Sequence, residues 1–244
     1  MIDIHCHLLP GIDDGASDLD ESLALCRHAV RSGITHAVVT PHIHPGRWDN
    51  DRVIIADAYT ALTRAVADVG LPLTLGMASE VRISAEMLTL IPAGKVPFLG
   101  EYGGEQVLLL ELPHGQIPPG AEKLVDWLRK RSIRPMIAHP ERNKGFMRDR
   151  DRLQAFVDAE CLFQLTAGAV AGGFGEQAED LARYILEQGW ATVLASDAHN
   201  LKARPPELSA GRDAAAAIIG EREARRLVTE RPWAIVGGQF EAVA

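Results

Sequence analysis

The sequence predicts an α/β fold in which parallel strands close, or nearly close, into a barrel with helices outside. The first observation is that seven short apolar runs of strand length occur along the chain, and the second is that each of five helix-like segments lies between two of them. Strands that alternate with helices form parallel sheets, and seven strands suit a barrel better than a small open sheet. The third observation is the length of 244 residues, which suits a single domain over residues 1–244 because α/β barrels commonly reach this size undivided.

Each predicted strand is a short apolar run, and each predicted helix is a longer segment with apolar residues at helical spacing. The strands cover residues 2–4, 37–40, 73–76, 107–112, 135–138, 162–166 and 191–195. The helices between them cover residues 17–32, 51–69, 121–131, 150–158 and 176–188. Ser17 and Asp18 are placed to cap the first helix, and Gly33 is placed to end it. Two further helices, 207–219 and 222–230, are predicted after the last strand, and Pro232 is expected to stop the second.

Composition and charge restrict the class of protein. Hydrophobic residues make up 47% of the chain and charged residues 24%, as in ordinary soluble domains. The net charge of -8 disfavours a nucleic-acid partner, because such binding depends on a basic surface. No segment approaches the roughly 20 uninterrupted apolar residues of a membrane-spanning helix, so we expect no direct membrane insertion. Three scattered cysteines do not make a disulfide framework, and we expect an unsecreted, cytoplasmic protein.

Histidines and carboxylates follow six of the seven predicted strands, at the end where barrel enzymes build their active sites. These residues are His5, His7, His42, Glu80, Glu111, His139, Asp197 and His199. Because side chains alternate along a strand, His5 and His7 should point the same way and Cys6 the opposite way. The sequence therefore predicts that these side chains converge on one site.

The mixture of residue types indicates which metals this site would bind. Histidines and carboxylates without a cluster of thiolates suit Zn, Mn or Fe, whereas an all-oxygen set would suit Mg or Ca. The candidates outnumber the three or four ligands of one ion, so we expect two or three divalent ions that share a carboxylate. Such clusters hold both the attacking and the leaving oxygen of a phosphoester.

The order of these motifs resembles the polymerase-and-histidinol-phosphatase (PHP) superfamily. The motifs are His-x-His at residue 5, a later Asp-Gly, Thr-Pro-His ending at residue 42, an isolated Glu, His-Pro-Glu-Arg from residue 139 and Ser-Asp-x-His from residue 196. The longer strings His-Cys-His-Leu-Leu-Pro-Gly-Ile-Asp-Asp-Gly-Ala and Ser-Asp-Ala-His-Asn resemble the manganese-dependent bacterial protein-tyrosine phosphatases encoded with capsule and exopolysaccharide genes. The resemblance extends to about Pro206. It implies a distorted, TIM-like (β/α)7 barrel with a trinuclear site at the C-terminal ends of the strands.

The resemblance also implies a role for individual residues. One metal would be held by His5, His7, Glu80 and Asp197, a second by the bridging Glu80 with Glu111 and His139, and a third by Asp14, His42 and His199. Asp13 is the rival for the position of Asp14. Arg142 and Arg204 are implied to bind the phosphoryl group, and arginine is well suited to bidentate phosphate binding. Manganese is the expected metal, with Fe, Zn and Mg as alternatives.

Together, the ligand array and the resemblance predict a metal-dependent protein-tyrosine phosphatase in which a hydroxide that bridges the metals attacks phosphorus. The implied substrate is the tyrosine-rich tail of a membrane-associated autokinase that controls polysaccharide export. A thiol-based phosphatase would need an arginine six residues after its cysteine, but Ile12, Ser32 and Ala167 occupy those positions. The chain also lacks the G-x-x-x-x-G-K-[ST] phosphate loop.

Several alternatives stay open on the sequence alone. A small-molecule phosphatase acting on histidinol phosphate and a DNA-trimming phosphoesterase belong to the same superfamily, and a non-catalytic metal-binding module is the least favoured. Residues 173–178 imitate a dinucleotide-binding motif but begin too far from the strand, so we expect a flexible loop beside the active site. The roles of His44, His114, Arg47 and Trp48, the oligomeric state and the physiological substrate are not determined.

Overall fold

A computed structural model describes residues 1–240, so the last four residues of the predicted domain 1–244 lie outside the described residues. Up to the last strand, one or two strands alternate with one or two helices, and helices follow the last strand. The strands are β1 (Ile2–Cys6), β2 (His36–Val39), β3 (His42–Ile43), β4 (Thr74–Met77), β5 (Glu80–Arg82), β6 (Gly100–Tyr102), β7 (Glu105–Glu111), β8 (Ile133–Ala138), β9 (Leu162–Thr166) and β10 (Val193–Ala195). The helices are α1 (Leu19–Arg31), α2 (Arg52–Asp68), α3 (Met87–Leu90), α4 (Ala121–Arg129), α5 (Lys144–Arg148), α6 (Leu153–Asp158), α7 (Ala167–Val170), α8 (Glu176–Glu187), α9 (Ser209–Ile219), α10 (Glu221–Arg226) and α11 (Glu230–Val236).

The strands pair in two mainly parallel sheets. The first has the order β1-β2-β4, and the second has the order β10-β9-β8-β7-β5-β3, with β6 antiparallel to β7 at its side. All other neighbours in both sheets are parallel. The prediction of an α/β fold with parallel strands is therefore confirmed, although the pairing is divided between two sheets rather than forming one continuous ring.

The predicted strands 37–40 and 73–76 correspond to β2 and β4, and each is followed after a short break by a strand that the sequence did not predict, β3 or β5; this is where the two sheets separate. Only residues 40–41 lie between β2 and β3, and only residues 78–79 lie between β4 and β5. Pro41 has no amide hydrogen to donate to a neighbouring strand, which explains the first break. Backbone hydrogen bonds also link β1 to the chain after β10, since Asp197 N donates to His5 O and His7 N donates to Ala198 O, each at 2.8 Å.

The alternation of side chains along β7 places Glu111 on the face of the strand that points toward the site. In β7, Leu108 and Leu110 are buried in a large apolar cluster with the helices, whereas Val107 and Leu109 belong to a smaller cluster with Ile235 and Val236 of α11. Glu111 follows Leu109 at the next position on the same face and is buried. The inner face of the strand thus changes from apolar to ligand-type at its C-terminal end.

The capping of the first helix is as predicted, since the side chain of Asp18 accepts a hydrogen bond from Glu21 N. The prediction that Pro232 stops a helix over 222–230 is wrong. The helix α10 ends at Arg226, and Pro232 lies in the first turn of α11. Proline is accepted there because the first amides of a helix have no partner within it.

A hairpin and a short helix near the site were also not predicted from the sequence. A hairpin joins β6 to β7 through Gly103 and Gly104, both with positive φ, which suits the Gly-Gly pair. The short helix α5 begins after Asn143, whose side chain accepts from the amides of Gly145 and Phe146. The predicted helix over 150–158 consists of a 3-10 turn over Arg150–Arg152 followed by α6. Among residues 1–240, no helix combines the length and hydropathy needed to cross a membrane.

Candidate metal centre

The C-terminal end of β1 presents His5 and His7 to the interior. Both side chains are buried, and their Nε2 atoms lie 3.3 Å apart. Cys6 packs on the other face in the large apolar cluster, where its Sγ donates to Val38 O at 3.4 Å. The predicted alternation is confirmed, and the cysteine between the two histidines is not part of the site.

Eight of the nine predicted ligands form three overlapping groups in which one ligand atom of each residue lies within 4.8 Å of the others. The groups are His5, His7, Glu80 and Asp197; then His7, Asp14, His42 and His199; then His42, Glu80 and Glu111. The first group is the set implied for the first metal. In the third group His42 takes the place expected for His139, whose Nε2 lies 2.9 Å from Glu80 Oε1 at the edge of the cluster.

The structure distinguishes the two neighbouring aspartates that the sequence left as rivals. Asp14 Oδ1 lies 3.4 Å from Nε2 of both His42 and His199, on the side of the cluster. Asp13 Oδ2 instead accepts a hydrogen bond from Nδ1 of His7 at 2.7 Å and another from His42 N at 3.1 Å. Asp14 therefore belongs to a group of residues that could hold a metal ion, whereas Asp13 orients the ring of His7 from behind.

Gly15 allows the aspartate loop to approach β1. A Cβ atom at this position would lie 2.1 Å from His7 O, far inside van der Waals contact. Gly15 N donates to Asp13 Oδ1 at 3.0 Å, which closes the turn. The Asp-Gly motif of the sequence therefore has a steric reason, because a larger residue would push both aspartates away from the histidines.

The donor atoms fit divalent cations. Buried atoms of four of these residues have no hydrogen-bond partner within the described part of the chain, namely His42 Nδ1, Glu80 Oε2, Glu111 Oε2 and His199 Nε2. Glu80 Oε2 lies 3.0 Å from His42 Nδ1 and Glu111 Oε2 lies 3.1 Å from Arg82 Nε, but a buried polar atom that lacks a hydrogen bond is still costly. Divalent cations would satisfy these atoms, and histidine nitrogen with carboxylate oxygen is a donor set that Mn, Fe and Zn accept.

The electrostatics of the carboxylates reflect their close packing. Burial opposes ionisation of Glu80, but the neighbouring His5 and His42 outweigh it and hold its pKa well below the usual range. Burial likewise opposes ionisation of Asp197, and His5 and Arg142 hold its pKa well below the usual range. For Glu111, burial and the adjacent charge of Glu80 raise the pKa to about 7. The cluster therefore contains two firmly ionised carboxylates beside one that ionises less readily.

The histidines divide according to their neighbours. Burial lowers the pKa of His42, but the charge of Glu80 outweighs it and raises the value to about 9. For His139, burial and the nearby Arg142 guanidinium lower the pKa to about 3. His139 is thus held neutral, in the form in which a ring nitrogen can bind a metal.

The ligand cluster opens to a cavity of about 220 Å³, which is also lined by the guanidinium groups of Arg142 and Arg204. Arg142 Nη1 donates to Asp197 Oδ2, and Arg204 Nη1 approaches the same oxygen at 3.3 Å. One carboxylate oxygen thus holds two guanidinium groups side by side. Both predicted arginines thus line the cavity beside the cluster, and their remaining N–H groups are available to bind an anion.

Comparison with known proteins agrees with this geometry. Residues 1–237 match the family described as capsular polysaccharide synthesis, CpsB/CapC. The chain belongs to the CpsB/CapC family. It is 34% identical to the tyrosine-protein phosphatase YwqE of Bacillus subtilis (strain 168) over 84% of this chain and 79% of that protein. It is 28% identical to the tyrosine-protein phosphatase CpsB of Streptococcus pneumoniae over 98% of this chain and 100% of that protein.

The fold of this CpsB/CapC chain is similar to a solved crystal structure. The similarity has a TM-score of 0.90 at 31% identity and covers 98% of this chain and 95% of the other. That structure comes from work on YwqE of Bacillus subtilis and CpsB of Streptococcus pneumoniae, described there as unique metal-dependent tyrosine phosphatases. The resemblance stated from the sequence motifs is therefore confirmed at the level of the family.

Two residues of the site in this CpsB/CapC chain were not singled out from the sequence. Gln164 lies on β9 and its Oε1 accepts from Nδ1 of His5 at 2.8 Å. Arg82 also lines the cavity, and its Nε lies 3.1 Å from Glu111 Oε2. A glutamine in the middle of an apolar, fully buried strand was the available signal for the first, because a buried amide needs hydrogen-bond partners. An arginine two residues after the strand-end Glu80 gave only a weak signal for the second.

The residues of undetermined role occupy different places. Trp48 stacks on His42 with ring centres 4.7 Å apart, and the guanidinium of Arg47 lies 4.1 Å from the centre of the Trp48 ring. His114 stacks on His139 at 5.4 Å, and its Nε2 lies 3.2 Å from Arg142 Nη2. These three lining residues, Arg47, Trp48 and His114, face the cavity. His44 is not among the lining residues and pairs with Trp48 through the backbone.

Proposed function

We propose that this chain is a metal-dependent protein-tyrosine phosphatase that hydrolyses phosphotyrosine. The observation that carries the proposal is the juxtaposition of two guanidinium groups on Asp197 with a dense histidine and carboxylate cluster. Cationic forks bind the oxygens of a phosphoryl group, and the cluster supplies ligands for the ions that would activate its hydrolysis. Membership of the CpsB/CapC family and the names of its characterised relatives support the same activity.

The proposed metal ligands are the nine residues named from the sequence. They are His5, His7, Asp14, His42, Glu80, Glu111, His139, Asp197 and His199. The unpartnered buried atoms of four of them support two or three divalent ions, with Mn preferred and Fe, Zn or Mg as alternatives. When bound, such ions lower the pKa of coordinated water and neutralise charge on the phosphate.

The role proposed for Arg142 and Arg204 is to bind and orient the phosphoryl oxygens. Asp197 fixes both guanidinium groups before substrate arrives, so that little reorganisation is required during reaction. In phosphoryl transfer, charge spreads over the equatorial oxygens, which is where planar cationic forks stabilise it. Arg142 is nine-tenths buried on its side chain, so its charge is weakly screened by solvent.

Phosphotyrosine is chemically reasonable as the substrate. Its leaving group is a phenolate with a pKa of about 10, which needs less help from a general acid than an alkoxide does. His114, whose Nε2 lies 3.2 Å from Arg142 Nη2, has its pKa lowered by burial and by that guanidinium, and is thus poorly suited to donate a proton. The tail of a membrane-associated tyrosine autokinase is the proposed protein substrate, which fits the capsular polysaccharide synthesis family.

We further propose that the two sheets are parts of one distorted (β/α)7 barrel, that residues 1–244 form a single domain and that the protein acts in the cytoplasm. The backbone hydrogen bonds between β1 and residues 197–198 support the closure of the ring. The short breaks after β2 and β4 support it as well, because each broken strand contributes to both sheets.

The proposed activity is tested by comparing substrates on enzyme stripped of metal and then loaded with Mn or Zn. The substrates are a phosphotyrosyl peptide, the matching phosphoseryl peptide and histidinol phosphate. We expect the phosphotyrosyl peptide to be hydrolysed much faster than the other two substrates, and only after metal is restored. Comparable rates on all three would reduce the function to a general phosphoesterase, and full activity without metal would reject the mechanism.

A further inference from the structure

A second cavity adjoins the metal cavity. It is a groove of about 540 Å³ that shares His114 and Arg142 with the metal cavity, and we call it the flanking groove. Its other walls include Lys144 and Met147 of α5, Phe174 of the glycine-rich loop, and Gln177 at the start of α8. Two other cavities, of about 560 and 440 Å³, share no lining residue with the metal cavity.

The sizes of the two cavities suggest which part of a protein substrate each of them would hold. The metal cavity of about 220 Å³ is smaller than typical ligand pockets, which measure roughly 300–1,000 Å³. It has room for a phosphoryl group and part of an aromatic ring, so the polypeptide must continue outside it. The flanking groove falls within the range of ligand pockets and begins where the metal cavity ends.

Phe174 forms a defined wall of this groove. The Arg142 guanidinium lies 4.6 Å from the centre of its ring, in the geometry of a cation–π contact. A Cβ atom at Gly168 would lie 3.1 Å from the same ring, so the glycine leaves room for it. The loop that the sequence predicted to be flexible thus places an aromatic ring against an arginine of the candidate active site.

The chemistry of the walls indicates what the groove accepts. Met147 and Phe174 are half-buried and offer apolar surface. Lys144 is exposed, and within residues 1–240 its ammonium group forms no ion pair. Glu176 is the one carboxylate among the lining residues of the groove, and Lys144 supplies its unpaired positive charge, because Arg142 is already paired with Asp197. In a chain with a net charge of -8, this local positive charge favours an acidic occupant.

We propose that the flanking groove binds the polypeptide next to the phosphotyrosine, with an apolar side chain against Met147 and Phe174 and a carboxylate beside Lys144. This inference rests on the proposed phosphatase function and adds a preference for sequence around the phosphotyrosine. The main chain anchors the position of Lys144, because its amide donates to His114 O at 2.7 Å. Lys144, Met147 and Phe174 thereby select among phosphotyrosyl segments without contacting the phosphoryl group.

The experiment compares kcat/KM for p-nitrophenyl phosphate and for two phosphotyrosyl peptides that differ only in an acidic or a basic flanking residue. The test variant is Lys144→Glu, and the matched control is Lys130→Glu, another exposed lysine that lies just after α4 and outside both cavities. We expect Lys144→Glu to lower kcat/KM for the acidic peptide by about tenfold and to raise it for the basic peptide. Hydrolysis of p-nitrophenyl phosphate should stay within about twofold of wild type, and Lys130→Glu should leave all three substrates unchanged.

A second variant, Met147→Gln, tests the apolar wall and should lower kcat/KM for both peptides while sparing p-nitrophenyl phosphate. The inference is overturned if the Lys144 and Met147 variants change all three substrates equally, or change none of them. Failure of the proposed function looks different, because metal-loaded wild type would then hydrolyse neither p-nitrophenyl phosphate nor either peptide. Retained hydrolysis of p-nitrophenyl phosphate also shows that a variant has folded.

Discussion

The side-chain oxygen of Gln164 lies 2.8 Å from Nδ1 of His5. The same oxygen accepts the backbone amide of His139 at 3.2 Å, so that one amide group connects β1, β9 and the turn after β8. Because an amide oxygen only accepts, Nδ1 of His5 must carry a hydrogen, and its Nε2 is the ring atom that faces Glu80 and Asp197, each at 3.3 Å. His139 has a φ of 33°, a conformation that is rare outside glycine and needs support from its surroundings.

Replacing Gln164 should therefore weaken metal binding although it is not itself a proposed ligand. We expect Gln164→Leu to weaken the affinity for Mn by about 10- to 100-fold, the usual cost of losing a partner behind a metal ligand. Gln164→Glu keeps an acceptor at the same place and should recover part of the affinity. Titration with a competing chelator gives the dissociation constants, and equal values for wild type and Gln164→Leu would show that Gln164 has no positioning role.

Removal of metal should lower the thermal stability of the protein. Glu80 and Glu111 each hold a buried oxygen without a hydrogen-bond partner in the described structure, and both lie in one group of candidate ligands. A cation that binds the folded state alone stabilises it by about 2.7 kcal/mol at a concentration 100 times its Kd. Calorimetry of the stripped protein with increasing Mn should show a rising Tm. A Tm that does not respond to Mn, while activity does, would contradict this account.

Asp197→Asn should weaken metal binding without unfolding the protein. The substitution keeps the shape of the side chain but removes the charge that faces His5, Arg142 and Arg204. We expect at least about 100-fold lower phosphatase activity, since loss of a partner behind a ligand already costs about 10- to 100-fold. Circular dichroism should confirm a folded protein, and metal analysis should show reduced Mn. Wild-type activity in this variant would remove Asp197 from the site.

The arginines should be sensitive to geometry as well as charge. Arg142→Lys retains a positive charge but loses the planar fork, so kcat should fall by about 10-fold or more while Mn content stays unchanged. Arg204→Lys should have a smaller effect, because the Arg204 side chain is 25% exposed and that of Arg142 is 10% exposed. Single-turnover kinetics on a phosphotyrosyl peptide measure the chemical step. An unaltered rate in Arg142→Lys would mean that its fork does not bind the phosphoryl group.

The positions of the site residues were predictable to different degrees. His5 and His7 followed from strand alternation, and the other strand-end residues followed because parallel strands bring their C-terminal ends together. Asp14 was separable from Asp13 only in three dimensions, since the turn at Gly15 decides which carboxylate faces the cluster. Gln164 contacts a residue 159 positions away, and such a pairing depends on the order of strands, which local patterns do not encode.

The three cysteines should be inert in the folded enzyme, which tests that catalysis does not use a thiol. All three are buried, and burial raises the pKa of Cys26 and of Cys161 to about 12 and that of Cys6 well above its usual value. At pH 7 a thiol with a pKa near 12 is ionised to only about 1 part in 10⁵, and the thiolate is the reactive form. Iodoacetamide should therefore leave the activity of metal-loaded protein unchanged, and mass spectrometry should find no adduct until denaturant is added, when three appear. Loss of activity in step with alkylation of one cysteine in the native protein would instead place a thiol in the reaction.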